Sequence, residues 1–292
     1  MTVAEVETRW WPSAFGADDE LGMLNHITDA KRLEALTLVR EGHMYDLGRV
    51  LDEEIPVFPG RFFKQTLVTT AHHANAANMV GKNDVNWVTE QVTATMQLGT
   101  HIDALSHLQI GNRGYNGVTI TELAGTAGVR RLGVETVPQI VTRGLLVDVS
   151  GSQPGPGHVI TIAEVESALE GLEPESGDAL LFHTGWGAHW RRPDVYVEGE
   201  PGPGCELAQW IADHEIALTG CDTWSYGPVP PEDPERPFEV PQILNAHHGV
   251  FVVENLDTSE LAAAGVREFA LILTHPKLQG ATGAWTSPIA LV

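Results

Sequence analysis

Short apolar runs bounded by turn signals recur through the second half of the chain: LLVDV (145–149), ALLFH (179–183), IALTG (216–220), GVFVV (249–253) and FALILTH (269–275). Runs of this length without alternation predict strands buried on both faces of a sheet. Stretches of helical spacing lie between them. Thr161 with Glu164 forms a capping-box pattern ahead of Val165, Ala168 and Leu169, with Gly171 as the stop. CELAQWIADHE (205–215) and SELAAAG (259–265) predict two further helices. Near the N-terminus, Thr28 precedes DAKRLEALTLVREG, where Leu33, Leu36 and Val39 keep helical spacing up to about Gly42. Helix-like and strand-like segments alternate, so the predicted class is α/β, with a mixed sheet.

Before the centre of the chain the period changes to two. Val92, Ala94, Met96 and Leu98 alternate with Gln91, Thr93, Thr95 and Gln97, which predicts a half-buried strand with one polar face. Gly99-Thr100 breaks the alternation. His101 and Asp103, two apart, point the same way on extended backbone. Asp103 can also cap a short helix over ALSHL (104–108), and His107 lies one helical turn from it. Three second-half strands also run into a polar residue, namely His183, Asp222 and Glu254. In α/β sheets the strand ends gather site residues; each such residue alone is more often a cap or a solvated loop group, and the three together lean toward a site.

Composition narrows the setting. With 292 residues, 42% of them hydrophobic, the chain is long enough for a sizeable core. The Pro/Gly-rich stretches at 151–158, EGEPGPG and YGPVPPEDPERPFEVP are short enough to be loops, so one domain is expected, the third loop forming a wall or lid. No run approaches the roughly 20 apolar residues of a membrane span, and the acidic first ten residues do not resemble a signal peptide. Cys205 and Cys221 make no disulfide framework, which fits a reducing, cytoplasmic compartment. A net charge of −22 opposes nucleic acid and anionic membrane as partners and leaves a small-molecule substrate.

His101, Asp103 and His107 bring three ligand-type groups into seven residues. Imidazole plus carboxylate suits Zn or Mn, whereas Ca and Mg prefer oxygen shells. An ion there polarises a carbonyl and lowers the pKa of water toward about 7, with His107 as proton carrier. The alternative, with Asp103 as a helix cap and the histidines packed in a polar loop, stays open on spacing alone.

The segment QLGTHIDALSH resembles the signature H-x-G-T-H-x-D-x-x-x-H of the cyclase family of metal-dependent hydrolases, which includes kynurenine formamidase, isatin hydrolase and trans-dienelactone hydrolase. FGADDELGMLNHIT, DLGRVLDEEIPVFPG, DALLFHTGW, GVFVVENLD and THPKLQGATGAWTSPIAL resemble further blocks of the longer members, so the likeness runs from about Phe15 to the C-terminus. The resemblance implies a swivelling β/β/α fold, with residues 1–45 as an extension packed on it, and a homodimer or homotetramer. It places His101 and Asp103 at metal-ligand positions and His107 at the general acid/base. Glu254 falls on a carboxylate that binds a second metal or assists proton transfer. Two departures stand out: Gln97 replaces the first signature histidine, and Pro241 or Gln242 falls where many members carry a ligand histidine. One divalent ion per chain is therefore expected, held by His101, Asp103 and Gln97. His247 or His248, preferably His248, is a replacement ligand if it turns inward, and a solvent-facing loop residue otherwise.

Phe58, His183 and Trp186 are the expected substrate contacts. His72 and His73 are read as loop residues, and Trp10 and Trp11 as neighbours of the site. The expected reaction is hydrolysis of an amide or ester (lactone) bond in a small cyclic or aromatic compound. A cyclase or dehydratase on the same residues, or a small-molecule-binding protein on a decayed enzyme scaffold, are the alternatives.

Overall fold

The computed structural model describes residues 9–68, 82, 83, 85 and 87–292, so His72 and His73 lie outside the described residues. In chain order the strands begin with β1 (Met44–Asp46), β2 (Phe63–Leu67), β3 (Glu90–Ala94), β4 (His101–Asp103), β5 (Ala124–Gly125), β6 (Gly128–Val129), β7 (Ile140–Asp148) and β8 (Val159–Ile160). They continue with β9 (Ala179–His183), β10 (Gly202–Pro203), β11 (Leu218–Cys221), β12 (Phe251–Glu254), β13 (Glu268–Leu273), β14 (Gly283–Trp285) and β15 (Ile289–Leu291). Nine of them form one sheet in the order β1-β15-β13-β7-β9-β11-β12-β4-β14. The central run β7-β9-β11-β12 is parallel, and the other pairs of this sheet are antiparallel.

The apolar runs read as two-faced strands are just that. On successive positions Leu146, Leu181 and Val253 enter one core while Leu145, Leu180, Phe182 and Val252 enter the other. Helices α1 (Asp29–Leu36) and α2 (Ile162–Ala168) begin where their caps predicted, and α3 (Cys205–Asp213) and α4 (Ser259–Ala263) lie within the two further segments expected to be helical. Thr28 accepts from the Lys31 amide, and Thr161 with Glu164 forms a complete capping box. Val165 of α2 and Leu207, Ala208 and Ile211 of α3 cover the second core. The N-terminal segment is pinned to the body by polar contacts. Asn116 Nδ2 donates to the Gly16 carbonyl at 2.9 Å, Tyr115 Oη to Asp19 at 2.7 Å, and Arg131 Nε to Glu20 at 2.8 Å.

Three local expectations are corrected. Helix α1 stops at Leu36 rather than near Gly42, and it buries Lys31 and Ala35 while Leu33 stays 67% exposed. The reason is electrostatic: Lys31 Nζ reaches the fully buried Asp178 at 2.8 Å, and that anchor sets the rotation of the helix. Strand β3 ends at Ala94 and pairs only with β2, so Val92 lies exposed on a two-stranded arm instead of half-buried in a sheet. ALSHL forms no helix; the chain turns after β4, with the His107 amide donating to the Ala104 carbonyl at 2.9 Å.

Candidate metal centre

Strand β4 lies between β12 and β14. Ile102 is fully buried in the first core, so alternation turns His101 and Asp103 to the opposite face. The register sets Glu254 of β12 directly across from His101, and Gly283 of β14 across from Asp103. Cross-strand partners share a face, so three ligand-type groups meet. One atom each of His101, Asp103 and Glu254 lies within 4.8 Å of the others, and all three residues are buried. His101 Nε2 is 3.3 Å from Glu254 Oε2 and 3.6 Å from Asp103 Oδ1.

The imidazole is oriented from behind. Gly99 takes a left-handed turn (φ 57°), and its carbonyl lies 2.8 Å from His101 Nδ1. With Nδ1–H donating there, Nε2 presents its lone pair toward the two carboxylates. Among the described residues, both His101 Nε2 and Asp103 Oδ1 are buried without a hydrogen-bond partner. Burial disfavours protonated His101, but Glu254 and Asp103 beside it outweigh that and raise its pKa. Unpaired buried acceptors are costly, and a divalent cation among them would satisfy all three groups at once. The spacing agrees, since ligand atoms bound at about 2.1 Å in a tetrahedral shell sit about 3.4 Å apart.

Gly283 makes room on the other side. A Cβ there would stand 3.0 Å from Gln97 Nε2 and 3.4 Å from Asp103 Oδ1. Gln97 therefore reaches the edge of the cluster, where its amide nitrogen donates to Thr282 at 3.0 Å.

The cluster opens on a cavity of about 150 Å³ whose walls include Asp103, Glu254, His107, Phe58, Arg61 and Trp224. Phe58 stacks on Trp224 at 5.4 Å between ring centres, and Phe238 meets both rings edge-on. The indole N–H of Trp224 is buried without a hydrogen-bond partner among the described residues. Behind this wall Glu200, fully buried, accepts from the Trp224 amide at 2.8 Å and from Ser225 Oγ at 2.6 Å. Burial pushes its carboxyl well above the usual range, against the Ser225 hydrogen bonds and with the nearby Glu254 charge.

The expected residues divide accordingly. His101, Asp103, Glu254, His107 and Phe58 are brought together, with Gln97 at the edge. Glu254, expected as a proton-transfer group or second-metal carboxylate, stands among the ligand-type atoms of the one cluster. His248 is not among them. Its Nε2 lies 3.1 Å from Gln209 on α3 and 2.9 Å from His247, and burial, with His247 beside it, pushes its pKa down to about 4. His183 lines a different cavity, its ring 2.7 Å from Thr258 Oγ1. Trp186 is core, its indole donating to the Tyr196 carbonyl at 3.1 Å. Trp10 and Trp11 pack on each other, Trp10 also edge-on against His247, and neither is among the residues lining this cavity. Pro241, one candidate for the absent ligand histidine, stands in the cavity wall and offers no donor. Arg61, Trp224, Phe238 and Glu200 were not anticipated; the proline-rich run read as a wall contains Phe238, and nothing local marks the other three.

Among curated proteins none matches the chain by sequence. The solved structure of a novel cyclase is similar at 28% identity and a TM-score of 0.86, covering 95% of this chain and 98% of that one. Isatin hydrolase A from Ralstonia solanacearum shares the fold at 18% identity and a TM-score of 0.66, covering 91% and 97%. A predicted metal-dependent hydrolase from Bacillus stearothermophilus does so at 16% identity and 0.57, covering 86% and 98%. The cyclase family model matches residues 45–228, a span that includes the whole QLGTHIDALSH segment and most of the central strands, and the chain belongs to that family.

Proposed function

We propose that this chain is a metal-dependent hydrolase acting on an amide or ester (lactone) bond of a small cyclic or aromatic compound. The observation that carries the reading is the pair of buried, unpartnered acceptors, His101 Nε2 and Asp103 Oδ1, beside Glu254 at a cavity that also holds His107. The fold it shares with isatin hydrolase A makes isatin the first compound to test.

His101, Asp103 and Glu254 would hold one divalent ion, with Gln97 as a neutral oxygen donor at the edge. When bound, that ion supplies Lewis-acid polarisation of a carbonyl and acidifies water. One imidazole against two carboxylates is an oxygen-rich set, which favours Mn over Zn. His107 takes and returns the proton at the cavity wall. Phe58 and Trp224, stacked on each other, offer an apolar aromatic wall against which a flat ring can lie. Among the described residues no helix is long and apolar enough to cross a membrane. The cytoplasm and a homodimer or homotetramer complete the proposal; the exposed Leu67, Val68, Val88 and Val92 on and beside the β2–β3 arm favour self-association.

The test is hydrolysis of lactones, cyclic imides and formamides by Zn- and Mn-loaded protein in heavy-oxygen water. Solvent oxygen should enter the product, and product without it would assign a ring-closing or dehydrating reaction instead. His107→Ala should retain the ion and lose about 10²- to 10⁴-fold in kcat. Full activity in that variant would remove His107 from the mechanism.

A further inference from the structure

The metal-side cavity, at about 150 Å³, is small for its proposed task. Small-molecule sites commonly enclose about 300–1,000 Å³. A second cavity of about 200 Å³ adjoins it, and the two share Ser225, Phe238 and Pro241 as walls. Its lining is supplied by the proline-rich loop, with Pro228, Val229, Pro231 and Val240 around an apolar interior and Cys205 of α3 also in its wall. The charged residues at this chamber are held by each other or by backbone. Arg236 pairs with Glu239 at 2.5 Å, and Glu232 accepts from the Cys205 amide at 2.6 Å. Burial, with Glu232 and Glu239 nearby, pushes the Cys205 thiol up to about 12, so it stays protonated as an apolar wall.

Phe238 stands between the two chambers. Its backbone is left-handed (φ 57°, ψ 30°), which is uncommon for a bulky residue and clusters at ligand clamps. Its ring, 41% exposed, sits edge-on to both Phe58 and Trp224, the aromatic wall of the metal-side cavity.

We propose that the substrate is bipartite: its reacting carbonyl and ring occupy the metal-side cavity, and an apolar arm passes Phe238 into the proline-walled chamber, where Phe238 and the loop 226–241 select its length and width. The inference rests on the hydrolase reading for the first half of the substrate and on the shared walls for the second. It gives the proline-rich run a task that a mere surface loop would lack: without amide hydrogens on its prolines and with fixed φ, the segment keeps an apolar chamber open.

The probe is a series of straight-chain hydroxamic acids from two to eight carbons, titrated calorimetrically into metal-loaded protein and into protein stripped by chelation. Binding should tighten by up to about fourfold per methylene until the chamber is full, in both forms of the protein. The offset between loaded and stripped protein reports the metal, and the slope with chain length reports the chamber, so the two readings fail separately. An affinity independent of chain length in both forms overturns the proposal, whatever the offset. Cys205→Phe, which fills part of the chamber, should bring the ratio of eight-carbon to two-carbon affinity down at least about tenfold; an unchanged ratio overturns it too. If that variant does not fold, Phe238→Ala decides. Removing the partition should tighten 4-tert-butylbenzohydroxamic acid at least about tenfold relative to benzohydroxamic acid, and equal changes for both would count against a selecting Phe238.

Discussion

His183 and Asp222 leave the ends of β9 and β11 much as His101 meets Glu254 across β4 and β12. Residue types alone make the two clusters equivalent, each an imidazole with buried carboxylate beside it. Their hydrogen bonding separates them. Asp222 accepts from the Thr184 amide at 3.0 Å, Thr184 Oγ1 at 2.6 Å, the Gly185 amide at 3.0 Å and the Gly187 amide at 3.3 Å. His183 engages Thr258 at 2.7 Å and lies 3.5 Å from Asp222. In the other cluster, among the described residues, Asp103 Oδ1 and His101 Nε2 have no hydrogen-bond partner and meet only each other and Glu254, at 3.6 and 3.3 Å from the imidazole nitrogen. A carboxylate whose lone pairs are filled by the chain is a structural cap; one left empty in the interior is built for something the chain does not supply.

The largest expected effect is on metal content. Elemental analysis of purified protein should give roughly one ion per chain, and His101→Ala or Asp103→Ala should lose it. His183→Ala and Asp222→Asn should keep it. Loss of the ion in Asp222→Asn would erase the distinction between the clusters.

Stability should reverse the ranking. Asp222→Ala leaves three buried donors and the half-buried Gly185 amide unpaired and should cost about 3 kcal/mol in urea unfolding. Asp103→Ala in chelator-treated protein removes a buried acceptor that has no partner and should cost less than about 1 kcal/mol, or stabilise. Equal costs would mean that the empty lone pair is filled in solution.

A smaller effect sharpens the metal side. Gln97→His places an imidazole where the amide now reaches the cluster and should tighten the ion about tenfold in chelator competition. No change would place Gln97 outside the coordination shell.

The smallest effect concerns the histidine that turned away. His248 is held near pKa 4, against 6.5 for the ordinary group. Between those values the unfolded chain binds the proton and the folded one does not, so His248 contributes stability above about pH 6.5 that is lost as pH falls toward 4. Wild type should therefore lose more stability than His248→Gln between pH 7 and 5, measured as the difference in urea midpoint. Parallel losses would show His248 to be solvated.

What could be read in advance follows the same division. The buried strands were legible because a run apolar on both faces has few other uses, and α2 because its capping box is written in two residues. His101 and Asp103 were legible because alternation is local. Glu254 was recognised as a strand-end carboxylate, yet its place among the ligand atoms depends on the pairing of β12 with β4, which no single segment encodes. His248, His183 and Trp186 lie away from the cluster for a reason no motif carries: position within a family block says nothing of which way a side chain turns. Leu33 and Leu36 failed differently, because one buried ion pair, Lys31 with Asp178, overrode the apolar stripe that the helix displays. Arg61, Trp224 and Glu200 come from three separate segments and meet only through the fold.

The pairing of His101 with Glu254 and of Asp103 with Gly283 carries a constraint of a different kind. Side-chain direction in a strand reverses at every residue, so slipping β12 or β14 by one position against β4 would turn Glu254 into the first core or bring a side chain against Asp103. Substitution at the rim, such as glutamine for histidine at position 97, leaves this geometry standing. A single-residue insertion or deletion between Gly99 and Asp103, or within β12, does not. In this part of the gene the reading of length is stricter than the reading of identity, and variation between copies should accumulate as exchanges of residues while the count of residues stays fixed.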